Sequence, residues 1–440
     1  MTAILGAGMS GLSAAYYALK TSKVAPLVVL EATNRVGGWV RSIKQPDGTI
    51  FEKGPRIIRA NYQNILQLVE ELKLSSKIIP IKVNHDAVKN RYIYADNKLH
   101  CLPTNLKSTI TKNSLLNYPL LSALWKDLTT SRVSKDDESI YSFMERRFGR
   151  DIAEKIAAPI LCGICGGDIH ELSAKSFMPK LVEFEKEHVE RAKKEAWNMW
   201  GLQGGFEQLP QALAQNIAKR GVNIKMENNC EQIIFNKNSV ELTVNGKVEK
   251  YSHVISSLPA KNLADLVQEQ HPELSKELLD IPTVTIAVVN LQFSENVLPI
   301  NAFGVLVPPK EQIPILGILF DSFTLPQNSN MTVLTVMMGG AWFEKYFSKC
   351  SSEEHLKTVA IKYATEILHI QENPKAFNVS ILRNCIPQYI VGHAQRLNRI
   401  HDYISAHKIP LGLCGSSYHG VGVGDVILSA KEAVSNINLQ

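Results

Sequence analysis

The stretch Ile4–Lys20, "ILGAGMSGLSAAYYALK", places Gly6, Gly8 and Gly11 in GxGxxG spacing between a short apolar run and a run with helical periodicity. The first glycine permits a tight strand-to-helix turn, the second lets backbone approach a pyrophosphate, and the third lets helix and strand pack closely. A phosphate is then favoured at the helix N-terminus, where N–H groups without helical partners and the helix dipole attract negative charge. Immediately outward, "APLVVLE" supplies a second apolar strand ending at Glu31, where a dinucleotide fold wants an acid for the adenosine ribose hydroxyls. Strand, glycine turn, helix, strand and acid together read as a βαβ dinucleotide-binding unit. The bland alternative is a tight turn that binds nothing.

The rest of the composition sets bounds. A chain of 440 residues with 45% hydrophobic and 20% charged content is an ordinary globular protein with room for two to three domains. Its 48 Lys and Arg against 42 Asp and Glu leave +6, a mild basic bias compatible with anionic ligands or anionic lipid. That is too weak to argue nucleic acid, and no nucleic-acid motif accompanies it. Seven scattered cysteines disfavour a disulfide framework and point to a non-oxidising compartment. Cys162 and Cys165 have CxxC spacing, but without a second pair zinc or dithiol chemistry is disfavoured. No apolar run approaches the roughly 18–20 residues of a membrane-spanning helix. Because the first residues already read as a strand and its turn, no signal peptide is expected.

Further along, a Leu- and Lys-rich segment, Leu99–Lys135, leads into strongly helical stretches that run to about Ala196. Strand character returns in "VNIKM", "VELTV" and "HVISSLP", and β-branched runs between Asp280 and Gly340 predict a second sheet. A helix is predicted near Glu353–Leu368. A second glycine-studded stretch, Cys414–Val434 "CGSSYHGVGVGDVILSAKEAV", then opens another helix. With neither repeats nor low-complexity linkers, the domains are expected to be interleaved excursions of one chain.

"EATNRVGGWVRS", with Arg35, Gly37, Gly38, Trp39 and Arg41, and "FEKGPR" at Phe51–Arg56 resemble the amine-oxidase-type flavoproteins, which follow the Rossmann acid with R-x-G-G and use FAD. In that superfamily a C-terminal glycine turn and helix close over the isoalloxazine, which would explain why two such stretches occur at opposite ends of the chain. Within it, the ordered set "RVGGWVRSIKQPDGTIFEKGPRIIR", "KNRYIYADNKLHCLPTNL", "HVISSLPA", "AFGVLVP", "LGILFDS", "TVMMGG", "CIPQYIVGH" and "SSYHGVGVGD" is similar to the eukaryotic protoporphyrinogen oxidase family, over almost the whole chain.

The resemblance implies one non-covalent FAD and oxidation of protoporphyrinogen IX to protoporphyrin IX by oxygen, with release of hydrogen peroxide. FAD N5 would take a hydride from a methylene bridge of the porphyrinogen. The implied cofactor contacts are Gly6, Ala7, Gly8, Met9, Ser10, Gly11, Glu31, Arg35, Trp39, Gly54, Pro55, Arg56, Ile57, Cys230, Val421, Gly422 and Val423. Cys230 stands where the family often has Val, and Ala394 replaces an aromatic residue. Arg91 matches the family's propionate-binding arginine, and Phe303, Gly304, Leu306, Leu319 and Met337 match its apolar cleft. Taken alone, such β-branched and Met-containing strands are simply core. Arg56 and His419 are candidates for assisting proton movement, but no catalytic side chain and no metal is expected.

The implied architecture is α/β with mixed excursions: a Rossmann-like FAD-binding domain (1–78, 217–264 and 365–440), a sheet-containing substrate domain (79–88, 186–216 and 265–364) and a helical membrane-facing domain (89–185). By the same resemblance Leu99–Lys135 attaches peripherally to lipid of the mitochondrial inner membrane, facing the intermembrane space. A homodimer is left open, and nucleic acid is not expected as a partner. The competing readings are an amine oxidase of the same superfamily, for which Tyr418 is the one candidate cage aromatic, and a flavin-free carrier resembling the GDP-dissociation inhibitors.

Overall fold

The two apolar runs that flank the glycine turn become parallel neighbours, Thr2–Leu5 pairing with Leu27–Leu30 on one side and with His253–Ser256 on the other. Asn223–Lys225 and Leu411–Leu413 complete a five-stranded parallel sheet at its two edges. The computed structural model describes residues 1–21, 26–102, 114–116, 118–129, 135–177, 196–237, 239–327 and 331–437. Much of the expected lipid-facing stretch Leu99–Lys135 (103–113, 117 and 130–134) lies outside the described residues, as does 178–195 of the expected helical region.

All four residues of Thr2–Leu5 and of Leu27–Leu30 are buried, because helices and strands cover both faces of a parallel sheet. Side chains alternate between two cores. Ile4, Val29 and Ile255 pack under the helices Met9–Lys20, Gln208–Lys219 and Val423–Ile437. Ala3, Leu5, Val28 and Val254 point the other way. They meet the helices Ala260–Val267, Pro272–Leu279 and His393–Ala406 and a three-stranded antiparallel layer made from Cys230–Asn236, Ser239–Val244 and Lys247–Tyr251.

The second sheet has seven strands in the order Ala376–Pro387, Thr283–Phe293, Thr332–Gly340, Ile315–Phe320, Gly304–Leu306, Tyr92–Ala95 and Lys98–Cys101. One face, with Ala287, Val289, Leu334, Val336 and Met338, packs against the helix Glu353–Leu368. The residues between them, Val288, Asn290, Thr335 and Met337, lie on the opposite face by the period of two along a strand. The expected mixed α/β architecture is what forms.

Two segments sit differently from the expected division. Tyr92–Cys101, assigned to the helical part, is a β-hairpin joined to Gly304–Leu306 by parallel pairing. Its turn is Asp96–Asn97, both at positive φ (+51° and +58°), the backbone that a two-residue type I′ hairpin requires and that Asp and Asn tolerate. Ala376–Pro387, assigned to the cofactor part, pairs along Thr283–Phe293 because an exposed edge of the longest core strands offers a ladder of partners. Among the described residues no helix is long and apolar enough to cross a membrane.

Candidate functional site

At the glycine turn the three positions differ in what surrounds them. Gly6 has φ +94°, and a Cβ there would lie 2.7 Å from Ser257 Oγ. A Cβ on Gly11 would lie 1.9 Å from the Gly6 carbonyl oxygen, so only glycine lets the helix sit on the strand. Gly8 is different: the nearest atom to a Cβ is Gly38 Cα at 3.8 Å. Gly8 is also the N-cap of Met9–Lys20, a helix with neither a side-chain cap nor an acid in its first turn. The N-terminal N–H groups are therefore left for an anion, and the cradle fits a pyrophosphate. Ala7, Met9 and Ser10 are buried beneath this turn.

Glu31 bends back onto it. One carboxylate oxygen accepts from the Ala7 N–H at 2.7 Å, and the other accepts from the Thr33 N–H and hydroxyl at 3.0 and 2.7 Å. The acid thus also orders the turn from within, beside the ribose contact that its position at the strand end implies. Arg35 donates to the Val36 carbonyl at 3.0 Å and to that of Gly38, and it faces Glu207 at 3.6 Å. Its job in the R-x-G-G segment is to brace the loop that the Gly37 N–H ties to the Ala7 carbonyl at 2.9 Å. Trp39 is exposed, and its carbonyl comes so near Gly54 that a Cβ would approach to 2.0 Å. Cys230 donates to the Gln232 carbonyl at 3.5 Å, and burial pushes its thiol up to about 12.

Pro55 is exposed and Ile57 half-buried against Ile81 and Met199, whereas Arg56 between them is buried. Arg56 Nη1 donates to both carboxylate oxygens of Asp321 at 2.7 Å and to Thr335 Oγ1 at 2.6 Å, while Nη2 reaches the Glu52 carbonyl at 3.2 Å. Asn290 Nδ2 bonds the same Thr335 hydroxyl and the same carbonyl, at 2.7 and 3.1 Å. Glu52 turns its carboxylate away from the guanidinium, accepting from the Phe206 N–H at 2.7 Å and the Ser42 hydroxyl at 2.8 Å. Burial raises its pKa to about 7. Glu52, Arg56 and Asp321 line a cavity of about 200 Å³ with Leu202, Gly205 and Gln327. Asp321 and Thr335 stand in the family-like runs "LGILFDS" and "TVMMGG", but nothing local there, or around Asn290, marks them as partners of Arg56.

The C-terminal glycine stretch forms a turn with Gly415 and Gly420 at φ +113° and +98°. Gly422 donates its N–H to Asp425 Oδ2 at 3.1 Å, so the acid in the first turn of the helix Val423–Ile437 takes up this amide. Tyr62 donates to Asp425 Oδ1 at 3.3 Å, and Asn64 Nδ2 donates to the Gly424 carbonyl at 3.0 Å. A Cβ on Gly424 would strike the Tyr62 ring at 2.1 Å, which explains that glycine. Val423 is buried in the core under the parallel sheet, and Val421 packs against the cluster around Leu161 and Ile169. His419 is exposed, its ring parallel to that of His401 with centroids 6.2 Å apart. Tyr418 is buried beside Leu397 and Ile400, which takes it away from any amine-binding cage.

The apolar candidates meet on adjoining strands. Gly304 is opposite Leu319, Leu319 opposite Thr335, and Leu306 and Met337 are both opposite Gly317. A Cβ on Gly304 would lie 2.2 Å from the Ile318 carbonyl, so glycine is needed there for the strands to close. Leu306 touches Gly163 of the helix Ala158–Cys165, and Met337 packs in the cluster with Cys162. Cys162 and Cys165 are buried thiols whose sulfurs bond the Gly167 and Leu161 carbonyls. Phe303 packs with Ile57, Ile81 and Met199, and its N–H reaches the Asn90 carbonyl at 3.3 Å. Arg91 is thereby placed next to Phe303 and Gly304. Arg91 is exposed as a residue, and desolvation, then the like charge of Arg59, lowers its pKa.

Residues 9–438 match the flavin containing amine oxidoreductase family. The chain belongs to that family, and its cofactor is FAD. Among relatives, protoporphyrinogen oxidase of Bos taurus is 36% identical over 465 residues, covering 99% of this chain and 97% of the bovine protein. That of Homo sapiens is 35% identical with the same coverage. The fold is similar to the crystal structure of an Exiguobacterium sp. 255-15 protein assigned as a protoporphyrinogen oxidase, with TM-score 0.82, 24% identity, and 100% and 98% of the two chains covered.

Proposed function

We propose that this chain oxidises protoporphyrinogen IX to protoporphyrin IX with molecular oxygen, releasing hydrogen peroxide, in haem biosynthesis. FAD supplies the hydride acceptor. The observation that carries the reading is Arg91, set at the start of a strand beside Gly304, Leu306, Leu319 and Met337 on neighbouring strands of one sheet. A large apolar macrocycle bearing two propionates needs such a pairing of broad apolar surface with a well-placed cation. A guanidinium grips a carboxylate through two parallel N–H bonds, which fixes orientation as well as charge. The glycine turn holds the pyrophosphate, and the residues around Val421–Val423 border the flavin ring.

Arg91→Ala removes a charge-assisted bond worth about 1.5–3 kcal/mol, so KM for protoporphyrinogen should rise roughly ten- to a hundredfold. Arg91→Lys should recover part of this, keeping the charge but not the planar fork. Flavin content should be unchanged. Steady-state oxidation at matched flavin occupancy decides: equal constants for all three proteins would remove the propionate role, and flavin loss would move Arg91 to the cofactor.

The same reading places the chain on the mitochondrial inner membrane, held peripherally and facing the intermembrane space. Support comes from Leu121 and Trp125, 49% and 68% exposed and four residues apart on the helix Leu120–Thr129, hence on one side of it. Leu115 and Leu116, by contrast, are buried and belong to the fold. Leu121→Glu/Trp125→Glu should therefore abolish flotation with anionic liposomes while the folded, flavin-bearing protein persists. Flotation equal to that of the wild type would exclude this face.

A further inference from the structure

Tyr389 follows the edge strand Ala376–Pro387 and is 2% exposed, yet its hydroxyl is fully engaged. It donates to the Ser416 carbonyl and accepts from the Gly420 N–H at 2.7 Å. These two backbone groups stand near opposite ends of the C-terminal glycine turn, so a single oxygen spans it. The ring is stacked on His393 at 4.2 Å and 12°, and His393 Nε2 donates to the Tyr418 carbonyl, within the same turn, at 3.1 Å.

Tyr389 is itself held. Its carbonyl accepts from the Ser173 N–H at 2.8 Å, and three residues on, the Gly392 N–H donates to Asp137 Oδ2 at 3.0 Å. Gly415 and Gly420, both at positive φ, would let the turn between them swing as a unit. The Tyr389 hydroxyl ties its two ends together, beside the His393 bond to the Tyr418 carbonyl and the Ala260 N–H bond to Ser417 Oγ.

We propose that Tyr389 is a positioning residue for the cofactor: by clamping Ser416 and Gly420 it fixes the backbone that leads into Val421–Val423, and so the surface on which the flavin rests. This role depends on the flavin-bordering placement proposed above for Val421–Val423. Tyr389→Phe keeps the stack on His393 and removes both bonds, leaving a half-buried carbonyl and a buried N–H without this partner.

The test is made on the purified holoenzyme. Tyr389→Phe should release FAD, followed by its fluorescence on dilution, roughly tenfold faster than wild type, the factor that about 1.4 kcal/mol produces. It should also shift the reduction potential of the bound flavin, which a merely structural tyrosine would not do. Tyr346→Phe, at a tyrosine packed with the other core under Glu353–Leu368, should leave both unchanged. Release and potential equal to wild type in Tyr389→Phe would overturn the positioning role alone. A wild-type protein that yields no flavin on denaturation would overturn the flavin site and this role with it. If Tyr389→Phe does not accumulate as folded protein, hydrogen exchange on the wild-type holoenzyme decides. Protection of the Gly420 amide at the level of the core strands supports the clamp, and exchange at the rate of an open loop refutes it.

Discussion

Arg56→Met should destabilise the protein by about 3–5 kcal/mol, the cost of leaving one member of a buried ion pair without its partner. Arg56 and Asp321 are 7% and 5% exposed, so solvent screens the pair little and the carboxylate left behind stays largely desolvated. The methionine would also strip a donor from Thr335 Oγ1 and from the Glu52 carbonyl. Arg56→Lys should be milder, since an ammonium keeps the charge but cannot reach both the carboxylate and the Glu52 carbonyl with fixed geometry. The decisive comparison is a double-mutant cycle in denaturant. Arg56→Met/Asp321→Leu should be more stable than Arg56→Met alone, because no buried charge is then left unpaired. Additive losses from the two single changes would mean that the pair is not coupled in the folded state.

The second large effect separates two glycines three residues apart. Gly11→Val puts its Cβ against the Gly6 carbonyl at 1.9 Å, backbone that cannot step aside, and 2.8 Å from Ser257 Oγ, so the helix Met9–Lys20 cannot seat and the variant should fail to fold. Gly8→Val meets nothing closer than Gly38 Cα at 3.8 Å, and its φ of −71° suits valine. That protein should fold but lose FAD by two orders of magnitude or more, on the order of 3 kcal/mol, because the side chain takes the space over the helix N-terminus that the pyrophosphate needs. Flavin content by absorbance after acid precipitation, beside far-UV circular dichroism, checks both. Acid precipitation should also release all the flavin from wild type, as non-covalent binding requires. A Gly8→Val protein with full flavin content would mean that the phosphate does not lie over this turn.

Legibility in the sequence followed the range of the interactions involved. The βαβ unit was readable from Ile4–Glu31 because every constraint in it is local: the strand is buried on both faces, and glycines stand where a Cβ would strike neighbouring backbone or where a ligand must come close. The Asp96–Asn97 hairpin was equally local and was missed, although a strand pattern on each side of an Asp-Asn pair carries the signal. Arg91 and the apolar cleft residues were named by family likeness. Their adjacency came from strand register, which joins Tyr92 to Val305 and Gly304 to Leu319 across a chain that leaves the sheet and returns.

The residues of the Arg56–Asp321 pair and of the Tyr389 clamp fall within family-like stretches, but no local pattern in those stretches says which groups meet. Arg56 was singled out for the cofactor and for proton movement, and its guanidinium proved to be committed to a carboxylate 265 residues away. Local backbone geometry leaves a periodic trace in the chain. A buried charge or hydroxyl takes whatever partner the packing of distant strands and turns brings within about 3 Å, and that choice exists only once the sheets have assembled.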